Sequence, residues 1–109
     1  MLIFHPAKDA IFYLGENARD NHALTSSAGK HTWFFHASNH PSPHGILDCG
    51  TSTTRPAPDL AKTCATLLMQ RTRHHTLHVD MLPRKYVRVS GDRVGQVEYV
   101  RGPTSVWIV

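Results

Sequence analysis

The sequence predicts an α+β fold: a largely antiparallel or mixed sheet packed against one main helix at about residues 59–73, with a short helix near 17–25. Three observations predict it. Residues Trp33, Phe34, Phe35 and His36 form an aromatic run that a strand would send alternately to its two faces. Leu60, Ala61, Cys64, Ala65 and Leu68 recur at helical spacing and make one apolar stripe. From Leu77 onward, apolar and polar residues alternate in short runs separated by turn formers, the pattern of antiparallel strands.

Taken in order, Leu2 to Phe4 and Ala10 to Leu14 read as short strands joined by a loop of about five residues. Asn17 is a capping residue at the head of a short helix reaching Thr25. Ser26 to Lys30 reads as a loop. In the aromatic strand, Trp33 and Phe35 share one face, and Phe34 and His36 the other. Burial of both faces places this strand centrally in its sheet. His40-Pro41-Ser42-Pro43-His44 cannot extend the ladder, because two prolines remove donors. A second apolar strand follows to Cys49, then a connector rich in turn formers from Gly50 to Pro58.

The main helix runs Asp59 to Arg73. Pro58 and Asp59 suit its first turn, and Arg71 and Arg73 suit the negative pole at its end. Leu77 to Met81 reads as a half-buried strand, and Leu82 to Lys85 as a turn. Val87 to Val89, Gln96 to Val100 and Ser105 to Val109 follow as strands, which together make three consecutive hairpin-like segments.

A chain of 109 residues suits a single domain spanning 1–109, with one core and little depth for a cleft. An apolar share of 40% and a charged share of 18% exclude a disordered composition. No apolar run approaches the ~20 residues that span a bilayer, and the N-terminus lacks a signal-peptide pattern. A soluble, cytoplasmic protein with no membrane partner is expected. Cys49 and Cys64 read as small buried hydrophobes rather than a disulfide or a zinc pair.

The charge is unevenly placed. Residues 71–93 carry Arg71, Arg73, Arg84, Lys85, Arg88 and Arg93 against Asp80 and Asp92, while the remaining basic and acidic residues balance. The whole net charge of +4 therefore lies in one segment, which also holds His74, His75 and His78. Such clustering favours a polyanionic partner. The alternative is a solvated face near a helix end.

His31, His36, His40 and His44 raise a metal hypothesis, but they lack the tight local pairing of structural zinc. Stacking, hydrogen bonding or a satisfied strand histidine fits them better. Ser42 stands between prolines and histidines without a triad pattern, no phosphate-binding glycine loop is present, and no carboxylate pair is placed for acid–base work. The sequence points to no enzyme and no cofactor or metal.

Gly15-Glu16-Asn17-Ala18-Arg19-Asp20-Asn21 with Leu24-Thr25 resembles the Gly-Arg-Asn-Ala-x-x-Asn and Leu-Thr segment of the NFACT-R (NFACT RNA-binding) domain. Phe34-Phe35-His36-Ala37 resembles that family's Trp-Phe-His-Ala, and Pro41-Ser42-Pro43-His44 its Pro-Gly-Ser-His. Gly95-Gln96-Val97-Glu98-Tyr99 and Thr104 resemble its closing motif. The likeness runs over the whole chain, with Gly15, Asn17, Asn21, Phe35, His36, Pro41, His44 and Gly95 as its motif residues. It departs at Glu16, where the family carries an arginine that would touch phosphate, and at Ser42-Pro43, Thr32 and Met81-Leu82.

The resemblance implies a stand-alone RNA-binding module of ribosome-associated quality control, with tRNA or large-subunit rRNA as partner and the ribosome as a further one. Arg71, Arg73, Arg84, Lys85, Arg88 and Arg93 are the expected phosphate contacts. His36, His44 and Trp33 are the expected stacking or hydrogen-bonding groups for unpaired bases; the alternative for Trp33 is core packing. Two rival readings are DNA binding by the same basic face and docking on ribosomal or partner proteins.

Overall fold

The computed structural model describes residues 1–109 except Thr53, His74, His75 and Val109. Strands β1 (Leu2–Ala7) and β2 (Ala10–Leu14) form a hairpin. Its loop is only Lys8-Asp9, with Asp9 in the left-handed region at φ 64°. The expected five-residue loop is thus shorter, because β1 continues through Pro6. The proline is tolerated since β1 is an edge strand, and the register shifts between Phe4 and Ala7.

Helix α1 (Ala18–Ser27) opens on Asn17, whose side chain accepts from the Asp20 N–H at 2.8 Å. Strands β3 (Trp33–Ala37) and β4 (Gly45–Asp48) follow, then helix α2 (Pro58–Met69) and strand β5 (His78–Pro83). A 3₁₀ turn at Arg84–Tyr86 leads to β6 (Val87–Val89), β7 (Val97–Tyr99) and β8 (Thr104–Trp107).

The fold is α+β. Six antiparallel strands run in the order β1-β2-β4-β3-β5-β8, and β6–β7 form a separate two-stranded ribbon. The aromatic strand β3 is interior, as its two-faced burial requires. Trp33, Phe35 and Ala37 join Phe12, Leu14, Leu47, Val79 and Met81 beneath α2, which contributes Ala61, Cys64, Ala65 and Leu68. Phe34 joins Ile46 and Leu82 on the opposite face, under Leu24 of α1 and Val87 of β6. No helix among the described residues is long and apolar enough to cross a membrane. Cys49 and Cys64 are free thiols, and burial holds the Cys64 thiol up at about 12.

Further expectations are corrected. Helix α2 stops at Met69, so Arg71 and Arg73 lie past its end and the last turn carries no basic residue. Buried Thr72 returns its hydroxyl to the Met69 carbonyl at 3.0 Å, which turns the chain off the helix axis. The closing strands are also not consecutive hairpins. β8 pairs with β5, so β6–β7 is a hairpin inserted between sheet neighbours. The cause is apolar placement: Val106 of β8 belongs beneath α2, whereas Val87 and Val97 pack on the other face. Leu77 lies outside β5 and is exposed. The expected basic contribution of His74 and His75, and the strand end at Val109, fall outside the described residues.

Arg84 fastens these layers. Its Nε donates to the Thr25 carbonyl at 2.6 Å and its Nη1 to the Val87 carbonyl at 2.7 Å. A cation is favoured there, because Thr25 lies in the last turn of α1. This guanidinium acts as a structural clamp between α1 and β6. Arg84→Ala should therefore lower stability by about 2 kcal/mol, since hydrogen bonds to charged groups contribute ~1.5–3 kcal/mol. Urea unfolding of the two proteins measures the difference.

Candidate functional site

The face of the sheet opposite α2 is only partly covered. Between the start of α1, the loop 38–44, the segment after α2 and the β6–β7 hairpin lies an open cleft of about 950 Å³. Gly15, Asn17, Asn21, His36, Pro41, His44 and Gly95 all line it, together with Arg71 and Arg73. Residues far apart in the chain and picked out by motif thus meet around one space. Phe35 is the exception: it is fully buried beneath α2 and packs edge-on to Phe12, with ring centres 5.4 Å apart.

The wall is built around His44. Its backbone N–H donates to Asn21 Oδ1 at 3.0 Å, and its carbonyl accepts from the Gly15 N–H at 3.0 Å. Its Nδ1 lies 2.8 Å from Thr25 Oγ1. Gly15 is required by this packing, since a Cβ there would stand 1.9 Å from Asn21 Oδ1. Gly95 is required twice over: its φ is 82°, and a Cβ would meet the Ala18 carbonyl at 3.0 Å. The His44 ring is 1% exposed, so it cannot stack on a base; it supports the cleft from behind. Burial drives its pKa down to about 4, with nearby His36 adding to the fall, so the ring is neutral at pH 7.

The floor is a ring cluster over a carboxylate. Phe34, His36, His44 and Tyr99 stand with successive ring centres 5.1–6.2 Å apart. Asp80 accepts from Ser38 Oγ and, at 3.1 Å, from the Tyr99 hydroxyl. Burial and the Asp80 charge both raise the Tyr99 pKa, which keeps the phenol protonated as that donor. His36 is half-buried and faces Asp80 across the β3–β5 ladder. Its Nδ1 donates to the Ala37 carbonyl at 2.8 Å, which leaves Nε2 as an acceptor on the neutral ring. Burial lowers its pKa more than Asp80 raises it. Ser42 closes the loop by accepting from the Ala37 N–H at 3.0 Å and donating to the Pro43 carbonyl.

The basic residues do not all line the cleft. Arg71 and Arg73 are exposed at the cleft and carry no ion pair among the described residues. Lys85, Arg88 and Arg93 do not line it. The Lys85 ammonium lies 5.2 Å from the Tyr86 ring centre, where Arg101 also sits at 4.4 Å. Arg88 lies 3.9 Å from Glu98 on the β6–β7 ribbon. Trp33 is 8% exposed beneath α2, which makes it core and removes it from base stacking. Glu16 lines the cleft with its carboxylate 2.6 Å from the Met1 ammonium. Among the described residues no three histidines, cysteines or carboxylates stand together to hold a metal. Sequence reasoning missed Asp80, Ser38 and Tyr99; the signal was the alternation of β5, which puts Asp80 on the face of His36.

No protein-family model matches this chain, and no curated protein matches it. Among solved structures it is similar to the C-terminal part of the fibronectin/fibrinogen-binding protein from Streptococcus suis, with a TM-score of 0.76 and 28% identity. The match covers 90% of this chain and 40% of that one, so the chain spans less than half of that structure's length.

Two outcomes follow from the His44 wall. Gly15→Ala should displace Asn21 and cost roughly 2–3 kcal/mol, as a buried donor loses its acceptor; thermal or urea unfolding reads it. Acid should also weaken the fold through His44. Above pH 6.5 the ring is neutral folded or unfolded and has no effect. Between about 6.5 and 4 the unfolded chain binds the proton and the folded one does not, so stability falls with pH, by roughly 3 kcal/mol in all. His44→Gln should flatten that part of a stability-against-pH curve.

Proposed function

We propose that this domain is a non-enzymatic RNA-binding module that takes tRNA or large-subunit rRNA in the cytoplasm, within the ribosome-associated quality control that its NFACT-R resemblance implies. The observation that carries this reading is the convergence of the motif residues with Arg71 and Arg73 around one cleft. A polyanion entering it would meet two arginines free of ion pairs among the described residues, which is the arrangement that phosphate contacts need. The His36 Nε2 acceptor suits the polar edges of unpaired bases.

The reading as a binder rather than a catalyst rests on how the reactive groups are spent. The Ser42 hydroxyl is committed to backbone, and Asp80 is occupied by Ser38 and Tyr99. DNA would meet the same arginines, and the 2′-hydroxyl is what would separate the two.

A second reading, a protein-docking module, is favoured by one observation: the similar structure from Streptococcus suis belongs to a protein that binds fibronectin and fibrinogen. In that case the cleft would take a protein segment, and ribosomal or partner proteins would be its occupants.

Fluorescence anisotropy against tRNA, rRNA fragments and matched DNA, over a range of salt, tests the first reading. Arg71→Glu with Arg73→Glu should weaken RNA binding by roughly 10- to 100-fold at low salt. The slope of log affinity against log salt should fall by about 1.4 to 1.8, as two phosphate contacts are lost. An affinity indifferent to salt and to both reversals overturns RNA binding at this cleft. Fibronectin or ribosomal-protein capture that survives them would support the docking reading.

A further inference from the structure

The cleft face of the sheet does not end at Asp80. Strand β8 pairs with β5 so that Ser105 stands opposite Asp80 and Trp107 opposite His78. Directly opposed residues point to the same face, and alternate residues along a strand share it. Asp80 lines the cleft, so His78, Ser105 and Trp107 lie on the cleft side. Val79 and Val106, the intervening pair, are buried beneath α2. The His78–Trp107 pair is therefore the next row of the same surface, about 7 Å along the strands from Asp80.

This row has the chemistry of a platform. Trp107 is 55% exposed, while Trp33 is buried. The His78 ring packs against the indole with centres 4.7 Å apart at 45°. The strand beneath is fixed. Val106 is buried, Ile108 packs against the same core, and the Ile108 N–H donates to the Leu77 carbonyl at 3.0 Å. The Thr76 hydroxyl holds the His78 carbonyl at 2.7 Å. A large aromatic surface is thus held in place and left more than half in water on an edge strand.

We propose that Trp107, braced by His78, is a base-stacking platform for an unpaired nucleotide of an RNA strand whose phosphates lie on Arg71 and Arg73. This rests on the RNA-binding reading of the cleft and names the form of RNA it takes. Charge complementarity at the arginines and continuity of the sheet face from His36 through Asp80 to Trp107 identify the occupant. Every base has a π-face, so such a platform accepts single strands with little regard to sequence. A duplex keeps its bases stacked on one another and cannot use it.

The test uses the full chain with a 12-nucleotide oligouridine and a blunt RNA duplex of equal charge. Trp107→Ala should weaken the single strand by roughly tenfold or more and leave the duplex within about twofold, while Trp107→Phe should restore most of the loss. Acrylamide quenching gives a second reading in the unaltered protein: oligouridine should shield the exposed Trp107, since buried Trp33 contributes little to that quenching. If Trp107→Ala and quenching are both without effect while the Arg71/Arg73 reversals still weaken binding, the platform is wrong and the RNA cleft stands. If the unaltered protein binds neither RNA, the cleft reading fails and the platform with it. If Trp107→Ala only turns a dimer into a monomer at equal RNA affinity, the indole covers a second copy through the β8 edge, and the platform is overturned.

Discussion

The structure depends on holding His44 buried and uncharged. Its backbone is gripped from both sides, by Asn21 Oδ1 and by the Gly15 amide, and its ring faces Thr25 Oγ1. These contacts join the end of β2, the inner face of α1 and the start of β4 in a single polar joint. A charged imidazole in that position would have no carboxylate among the partners just named and would carry a large desolvation cost. The neutral ring can serve as both donor and acceptor, so the joint closes without a net buried charge. Once it closes, α1 cannot slide along the sheet, and the mouth of the cleft has a fixed edge.

The opposite edge is set by the β6–β7 hairpin, which is tied to the main sheet and α1 at several points. Tyr99 reaches Asp80, Arg84 clamps Val87 to the end of α1, and Gly95 seats on Ala18. The hairpin also shares the second apolar cluster through Val87, with Val97 and Tyr99 packed against it. Hydrogen bonds to charged groups such as these contribute ~1.5–3 kcal/mol each, so the hairpin is positioned by several modest terms rather than one large one. The result is a cleft with a rigid aromatic floor and a rim whose parts come from distant stretches of chain. Preorganisation of that sort lowers the ordering cost of binding.

Much of this was legible in the sequence, and the limits are physical. The face assignment of Trp33, Phe34, Phe35 and His36 followed from strand alternation and held, because both faces are buried and a slip of one residue would exchange them. The Asn17 cap and the α2 stripe held for similarly local reasons. The end of α2 did not, because Thr72 stops the helix through a bond to Met69 that no periodicity reveals. The pairing of β8 with β5 was missed because non-local pairing leaves no local signature; only the burial of Val106 beneath α2 decides it. In the site, Gly15, Asn21, His44 and Gly95 were picked out by motif alone. Their reason, mutual packing within hydrogen-bond distance, needs three dimensions.

Charge shows the same division more sharply. The segment 71–93 carries the whole net charge, yet its cations have different fates. Arg84 is spent on carbonyls, Lys85 lies near Tyr86 and Arg88 near Glu98, and Arg71 and Arg73 remain at the cleft. A net charge acts over about a Debye length and raises the rate of encounter with any polyanion. It cannot select among them. Selection needs groups whose positions are fixed against the ligand. On the RNA-binding reading proposed above, the net charge would steer an approaching strand, while the ordered floor beneath Arg71 and Arg73 would decide whether it stays.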